Sequence, residues 1–474
     1  MNVLFISTEA LPFAKSGGLG DVIGTLPREL VRKGVDARVI MPLYKPTKEK
    51  YQKQLNKVCE IETHVAWRVK YCALYELEYE SVIFYFIDNE EYFGRDRYYG
   101  FYDDGERFAY FCRAVLDLLR YIPKYKPDIL HCNEWQTALV PIYLKTIYRK
   151  QVEYVNLRTV FTIHNIEYQG QYDKAILGDL FGIDQSDYSL VELEGCINLL
   201  KGAVVTCDKL TTVSPSYAEE IQYDFFGRGL EGIIRENSYK LCGILNGIDG
   251  REFNPWFDKH LKARYSAKSS DKKLVNKLAL QEQMGLDANP EIPVIGMITR
   301  LVSHKGIDLL INVFDELMEE NIQMVILGSG EKQYEDFFNT KVKQYPDKMA
   351  IYMGFGSELP NRIYAGADMF LMPSISEPCG LVQMICTKYG TIPIVRATGG
   401  LKDSIVSYNP QEKTGNGITF LQVNAQDMLG AVKRAISLYW DKLEWDTLMQ
   451  NAFASDFSWK RSAGEYISVY QSLV

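Results

Sequence analysis

Four short stretches carry residue types suited to a phosphorylated sugar. The first reads K-S-G-G-L-G-D-V at 15–22, after an apolar run at 3–7 and before a helical pattern through Leu26, Leu30 and Val31. Glycines between a strand and a helix let the backbone approach a ligand, and a helix start offers N–H groups and positive partial charge to an anion. Lys15 adds a full cation, although a tight turn with a solvated lysine reads the same way. The second is R-L-V-S-H-K-G at 300–306, following an apolar run at 294–299. Arg300 can fork two phosphate oxygens while Lys305 meets a third as a point charge. The third is S-E-P-C-G-L-V-Q at 376–383, with a helix expected from about Cys379. There Glu377 could accept hydrogen bonds from sugar hydroxyls or merely cap its helix. The fourth is T-G-G-L at 398–401, another glycine-rich turn at a strand end. His164 closes a further strand in T-I-H-N-I-E-Y-Q-G at 162–170, and N-G-I-D at 246–249 closes the first half of the chain.

Other chemistries fail on spacing. The dinucleotide fingerprint G-x-G-x-x-G breaks at Ile23, and Asp36 precedes the second strand instead of ending it, which disfavours a nicotinamide oxidoreductase. There is no G-x-x-x-x-G-K-[ST] loop, no H-E-x-x-H and no G-x-S-x-G turn. The sequence has no D-x-D pair to clip a metal against a sugar diphosphate.

The elements that must position these residues alternate. In the first half, apolar runs at 3–7, 37–41, 82–87, 128–131 and 158–163 predict buried strands. A helix is predicted over 106–121, with Phe108, Phe111, Val115, Leu118 and Leu119 on one face, and residues 58–79 predict an antiparallel insertion. In the second half, strands are predicted at 294–299, 324–327, 350–353, 369–372 and 392–395, with helices at 305–319, 331–343, 381–389 and 425–439. Strands apolar throughout, alternating with helices, imply an α/β chain with parallel sheets covered on both faces. The polar stretch 258–273, with Lys259, Lys262, Lys268, Lys272 and Lys273, predicts a surface segment, and residues 459–474 a final helix.

Composition sets the outer bounds. The 474 residues suit two large domains, and a net charge of −8 gives no global attraction to nucleic acid or an anionic membrane. The 9 cysteines are scattered, without a C-x-x-C pair, as in a reduced, cytoplasmic protein. The 32 tyrosines suit sugar contact and ordinary packing alike.

Taken together and in order, K-S-G-G-L-G-D-V, T-I-H-N-I-E-Y-Q-G, V-S-P at 213–215, N-G-I-D, R-L-V-S-H-K-G, E-P-C-G-L-V-Q and T-G-G-L resemble the bacterial glycogen synthases and plant starch synthases. The resemblance covers essentially the whole chain. It implies a GT-B fold, two Rossmann-like domains facing a cleft that closes on the donor. The implied boundaries are an acceptor-side domain at 1–247, a nucleotide-sugar domain at 248–456, and a helix at 457–474 returning to the first. It further implies retaining transfer of glucose from ADP-glucose to an α-1,4-glucan, with no metal or other cofactor. By the family pattern Lys15, Gly17, Gly18 and Asp21 lie near the donor phosphates, and Arg300 and Lys305 hold the diphosphate. Glu377 and Asn246 lie near the transferred glucose, with Cys379, Gly380, Leu381, Thr398 and Gly399 lining the same donor. His164 lies beside the anomeric centre, and Phe355 stands where the family stacks an aromatic on adenine. Glu134 and Trp135 fall on the acceptor side. There Glu134 and Gln136 replace the Asp and His of an Asp-Trp-His core, Glu167 replaces a small residue, and Ser303–His304 differs from the usual Gln before the lysine. The alternatives are another GT-B glucosyltransferase with a different acceptor, or a glucan-binding homologue without catalysis. The resemblance says nothing of oligomeric state.

Overall fold

The apolar runs become two mainly parallel sheets in a computed structural model that describes residues 1–354, 356 and 358–474. The chain divides into two compact units, Met1–Asn246 with Trp459–Val474, and Gly247–Ser458.

The first unit is built on a nine-stranded sheet with the order Leu241–Gly243, Lys209–Thr212, Arg158–Ile163, Ile129–Asn133, Asn2–Ile6, Asp36–Pro42, Val82–Asp88, Arg68–Tyr79, Asn56–Val65. The first seven are parallel, and the last two form the antiparallel insertion, paired from Asn56 opposite Glu76 to Val65 opposite Arg68. Strand Asn2–Ile6 is buried almost throughout, since helices cover both sheet faces. Chain order runs outward one way from Asn2–Ile6 through Asp36–Pro42, then restarts on its other side at Ile129–Asn133. The connections following those two neighbouring strands therefore diverge, leaving a crevice at their carboxyl ends. Helix Gly18–Arg32 contains Pro27 and packs against the final helix Trp459–Gln471. That final helix is fastened by Tyr470, whose hydroxyl lies 2.8 Å from His131 Nδ1, while Ser462 Oγ donates to the Leu245 carbonyl at 2.5 Å.

The second unit has an all-parallel sheet with the order Met349–Met353, Gln323–Gly328, Val294–Ile298, Met369–Met372, Ile392–Arg396, Ile418–Phe420. The same reversal occurs between Val294–Ile298 and Met369–Met372. The apolar sides of its helices join a continuous core of Leu310, Phe314, Leu317, Phe338, Met428, Val432 and Leu448.

Three expectations change. The helix predicted over 305–319 is two, Ile307–Asn312 and Phe314–Glu319, because Val313 leaves the helical region (φ −123°, ψ 14°). The helix expected from Cys379 begins at Val382, because Gly380 takes a positive φ of 67° and holds the chain out of the helix. The stretch 258–273 is not uniformly solvated. Lys273 is buried and donates to the Ala365 carbonyl (2.8 Å) and Thr391 Oγ1 (2.7 Å), while buried Asp258 accepts from Asn361 and Tyr389. Burial pushes the Lys273 ammonium down to about 7.

Candidate active site

In the second unit, Arg300, Lys305 and Glu377 converge where the strand order reverses. Arg300 and Lys305 follow strand Val294–Ile298, and Glu377 follows its neighbour Met369–Met372. A cavity of about 190 Å³ is lined by Thr299, Arg300, Lys305, Ser374, Glu377 and Gly380, among others. Lys305 Nζ donates to Glu377 Oε2 at 2.7 Å, and Ser374 Oγ to the same oxygen at 3.0 Å. Glu377 thus faces the cavity five residues before its helix, which removes the capping role. The guanidinium of Arg300 is exposed and has no side-chain partner among the described residues. One free cation, one paired cation and a hydroxyl-buttressed carboxylate can together meet a diphosphate and sugar hydroxyls.

The surrounding residues hold this geometry. Arg396, buried, donates from Nε to the Ser374 carbonyl (2.9 Å) and from Nη2 to the Ile375 carbonyl. The Ile375 N–H donates to the His304 carbonyl at 2.9 Å, tying the Glu377 loop to the Lys305 turn. Gln383 Nε2 donates to the carbonyls of Cys379 (3.1 Å) and Gly380 (3.0 Å). The T-G-G-L turn acts from behind. The Gly400 N–H donates to the Glu377 carbonyl at 3.1 Å, and a Cβ on Gly399 would stand 2.1 Å from that same oxygen. Gly399 and Gly400 therefore support the loop that Glu377 and Cys379 belong to, and Thr398 is the residue that precedes their helix. Leu381 is the residue before the helix, and Phe355 lies outside the described residues.

In the first unit, the K-S-G-G-L-G-D-V loop, Glu134 and His164 sit at the carboxyl ends of three adjacent strands. Helix Gly18–Arg32 starts as expected, but two of the N–H groups read as phosphate donors are already used. The Ser16 and Gly17 N–H groups donate to Glu9 Oε2 at 2.5 and 3.2 Å. Nor is Lys15 a lone cation, since its Nζ lies 2.6 Å from Asp21 Oδ1. That pair is half exposed and worth at most about 1 kcal/mol, so Lys15 can exchange partners with a ligand. Burial raises the Asp21 carboxyl, an effect that Lys15 opposes. Gly17 and Gly18 face open space: an added Cβ would meet nothing within 4 Å. No internal packing calls for glycine there, which leaves room for a ligand against the backbone.

Glu134 carries backbone strain, with φ 65° and ψ 167°, a region that glycine otherwise occupies. Its Oε1 accepts the N–H groups of His164 (2.5 Å) and Asn165 (2.9 Å), so the strand-end peptide beside His164 is set by Glu134. The His164 ring shares a hydrogen bond with Asn133 Oδ1 (3.0 Å); since Asn133 Nδ2 donates to the Ile6 and His131 carbonyls, Nε2 of His164 is the donor. Burial holds that imidazole neutral, down at about 3. Trp135 packs edge-on against Phe108 at 5.4 Å and fits only because Gly170, at positive φ, has no Cβ; one would lie 2.5 Å from the indole. The Asn246 Oδ1 is buried with no hydrogen-bond partner among the described residues, and it can accept from a hydroxyl. Gln136 likewise leaves its buried Oε1 unpaired among the described residues. Glu167, unexplained from sequence, pairs with Arg228 at 2.7 Å. Sequence reasoning missed Glu9, Ser374 and Arg396, which lie outside the motifs, and the bracing role of Gln383, which ends one of them; only Glu9, an acidic residue just past an apolar strand, gave a visible signal.

Burial pushes the Glu134 carboxyl up from 4.5 to about 8, despite two N–H donors that pull the other way. The folded value lies above the unfolded one, so this group's stabilising contribution is complete below pH 4.5 and disappears as pH rises through about 8. Glu134→Gln keeps an acceptor for both N–H groups and cannot ionise. It is expected to hold turnover at neutral pH within about threefold, under 1 kcal/mol in the barrier, and to lose the wild type's decline in Tm over that window. Identical Tm profiles against pH for the two proteins would count against this assignment.

Comparison with known proteins agrees with the geometry. Residues 2–236 match the family model of the starch synthase catalytic domain, and residues 282–446 that of the glycosyl transferases group 1. The chain is 49% identical to a glycogen synthase of Geobacillus thermodenitrificans, covering 100% of this chain and 98% of that one. It is 48% identical to a glycogen synthase of Clostridium botulinum, covering 100% and 99%. The fold matches the catalytic domain of starch synthase IV from Arabidopsis thaliana, a structure bound to ADP and acarbose, with a TM-score of 0.90, 36% identity and 99% of both chains covered. A sucrose-phosphate synthase from Thermosynechococcus elongatus shares the fold alone, at TM-score 0.61 and 18% identity over 100% of this chain and 98% of that one. With nearly half its residues shared along its full length and both family models matched in order, the chain belongs to the glycogen and starch synthase family of GT-B glycosyltransferases.

Proposed function

We propose that the chain transfers glucose from ADP-glucose to the non-reducing end of an α-1,4-glucan, with retention at the anomeric carbon and without a metal. The observation that carries this reading is the cluster of Arg300, Lys305 and Glu377 around one cavity, with Lys305 and Glu377 paired at 2.7 Å. As the bond from C1 to the diphosphate oxygen breaks, positive charge grows on the sugar and negative charge on the leaving group. Arg300 and Lys305 bind that leaving group more tightly as its charge develops, which lowers the barrier and not merely the ground state. Glu377 accepts hydroxyls of the transferred glucose, and its bond to Lys305 fixes the sugar's position relative to the diphosphate. Asn246, with its unpaired Oδ1, takes a further donor hydroxyl, and Lys15 and Asp21 complete the phosphate surroundings. The acceptor hydroxyl attacks from the face the diphosphate leaves, and a diphosphate oxygen takes its proton. Glu134 and Trp135 shape the acceptor side.

The test is incorporation of labelled glucose into glycogen from ADP-glucose and UDP-glucose side by side, with chelator present. Preferred use of ADP-glucose, undiminished by chelator, is expected. Hydrolysis of either donor without incorporation would point to a different acceptor, and glycogen binding with no ADP release to a non-catalytic homologue.

A further inference from the structure

Glu9 is buried, 4% exposed, and belongs to none of the motifs above. Its carboxylate nevertheless receives four donors. The Ser16 N–H donates to Oε2 at 2.5 Å and the Gly17 N–H to the same oxygen at 3.2 Å. Ser16 Oγ donates to Oε1 at 2.6 Å, and the Tyr99 hydroxyl donates to Oε1 at 2.8 Å. Tyr99 has a single hydroxyl proton, so the 2.7 Å contact with Thr8 Oγ1 runs the other way, from threonine to tyrosine. Burial raises the Tyr99 phenol well above its ordinary value, which keeps that proton in place. Donors thus converge on Glu9 from two sides, Thr8 through the Tyr99 hydroxyl and Ser16 with Gly17 from the start of helix Gly18–Arg32.

This arrangement is unusual for a loop expected to meet a diphosphate. Two of its N–H groups point inward to a carboxylate, and a negative charge stands behind the place where negative charge is to bind. Electrostatics alone would disfavour Glu9 there. What it supplies is conformation, since three hydrogen bonds from Ser16 and Gly17, with Tyr99 holding the carboxylate, fix the backbone through Gly18, where an added Cβ would meet only open space.

We propose that Glu9 is a positioning residue for the donor: it spends the first N–H groups of the loop to hold Gly17 and Gly18 in the conformation that receives the nucleotide-sugar phosphates. This rests on the reading of the preceding section. Glu9 touches no substrate atom and acts through the loop, so its loss weakens ground-state and transition-state binding of the donor together. Such a loss appears in KM and spares kcat.

The test compares the full chain with Glu9→Gln, Glu9→Ala and Tyr99→Phe. Rates are measured with ADP-glucose varied at saturating glycogen and with glycogen varied at saturating ADP-glucose, alongside Tm. Glu9→Gln is expected to raise KM for ADP-glucose about tenfold, the ordinary loss for one charge-assisted hydrogen bond, with kcat within about threefold and KM for glycogen unmoved. Glu9→Ala is expected to raise it further, and Tyr99→Phe, which removes one donor of four, about threefold. The sign is decisive, because deleting a negative charge beside a diphosphate would by Coulomb attraction alone lower that KM. An unchanged or lowered KM for ADP-glucose in Glu9→Gln, or a matched loss on the glycogen side, overturns the proposal. Glu9→Gln and Tyr99→Phe decide the matter where Glu9→Ala does not fold. Should the wild type transfer glucose from no nucleotide sugar, it is the preceding reading that fails, and weaker calorimetric binding of ADP to Glu9→Gln still tests the anchor.

Discussion

Lys305→Ala is expected to lower kcat about a hundredfold at saturating ADP-glucose, the usual cost of removing one group aimed at developing charge. Two effects act in the same direction. The leaving diphosphate loses a cation that sits at the mouth of strand Val294–Ile298, and Glu377 loses the partner that holds it at 2.7 Å, leaving Ser374 Oγ alone on that oxygen among the described residues. Because the second effect loosens the sugar as well as the phosphate, Lys305→Arg is expected to recover only part of the loss. A guanidinium keeps the charge but is planar and larger than an ammonium. Glycogen KM should not move. Steady-state rates with each substrate varied in turn check this, and near-wild-type turnover by Lys305→Ala would remove Lys305 from the mechanism.

Gly399→Ala is expected to be at least as damaging, although residue 399 carries no side chain to lose. Its φ of 45° is disfavoured for any residue with a Cβ, by about 1–2 kcal/mol. The larger effect is steric. The new Cβ would stand 2.1 Å from the Glu377 carbonyl oxygen, a distance no contact sustains, so the Glu377–Pro378 backbone must move. A displacement of about 1 Å in a positioning segment costs on the order of a hundredfold in rate. Turnover should therefore fall by about that factor, with a lowered Tm. Gly17→Ala is the contrast, since its Cβ meets nothing within 4 Å, and its Tm should match the wild type. Equal thermal stability and equal kcat in Gly399→Ala and the wild type would contradict the packing argument.

Much of this site was legible before any coordinates. Arg300, Lys305 and Glu377 stand at the ends of apolar runs that could only be buried strands, and strand ends are where open α/β sheets bind ligands. The insertion was visible as alternation along 58–79 and is the hairpin Asn56–Val65 and Arg68–Tyr79. The glycine-rich stretch at 15–22 was legible as a strand–helix turn. Its inner wiring was not, because no motif spacing marks Glu9 as the acceptor of Ser16 and Gly17, and Tyr99 reaches Glu9 from 90 residues away. The helix predicted at 381–389 lies within a residue of the observed Val382–Lys388 at each end, while a start at Cys379 is too early, because a positive φ at Gly380 is a backbone state that composition does not announce. The break at Val313 was missed for a similar reason, since apolar spacing runs smoothly through it while the hydrogen-bond ladder does not.

The sequence by itself determined the α/β alternation, the two halves, the family and the residue types available for a sugar diphosphate. These are local or nearly local properties, written in hydrophobic period and motif spacing. The tertiary structure decided which strand lies beside which, and with it where the order reverses. That reversal brings residue 305 within hydrogen-bonding distance of residue 377, sets T-G-G-L behind Glu377 as a support, and spends two loop N–H groups on Glu9. The first two join residues far apart in the chain, and the third is a turn closed on its own neighbour; all are fixed by the packing of whole sheets and helices, which hydrophobic period and motif spacing do not record.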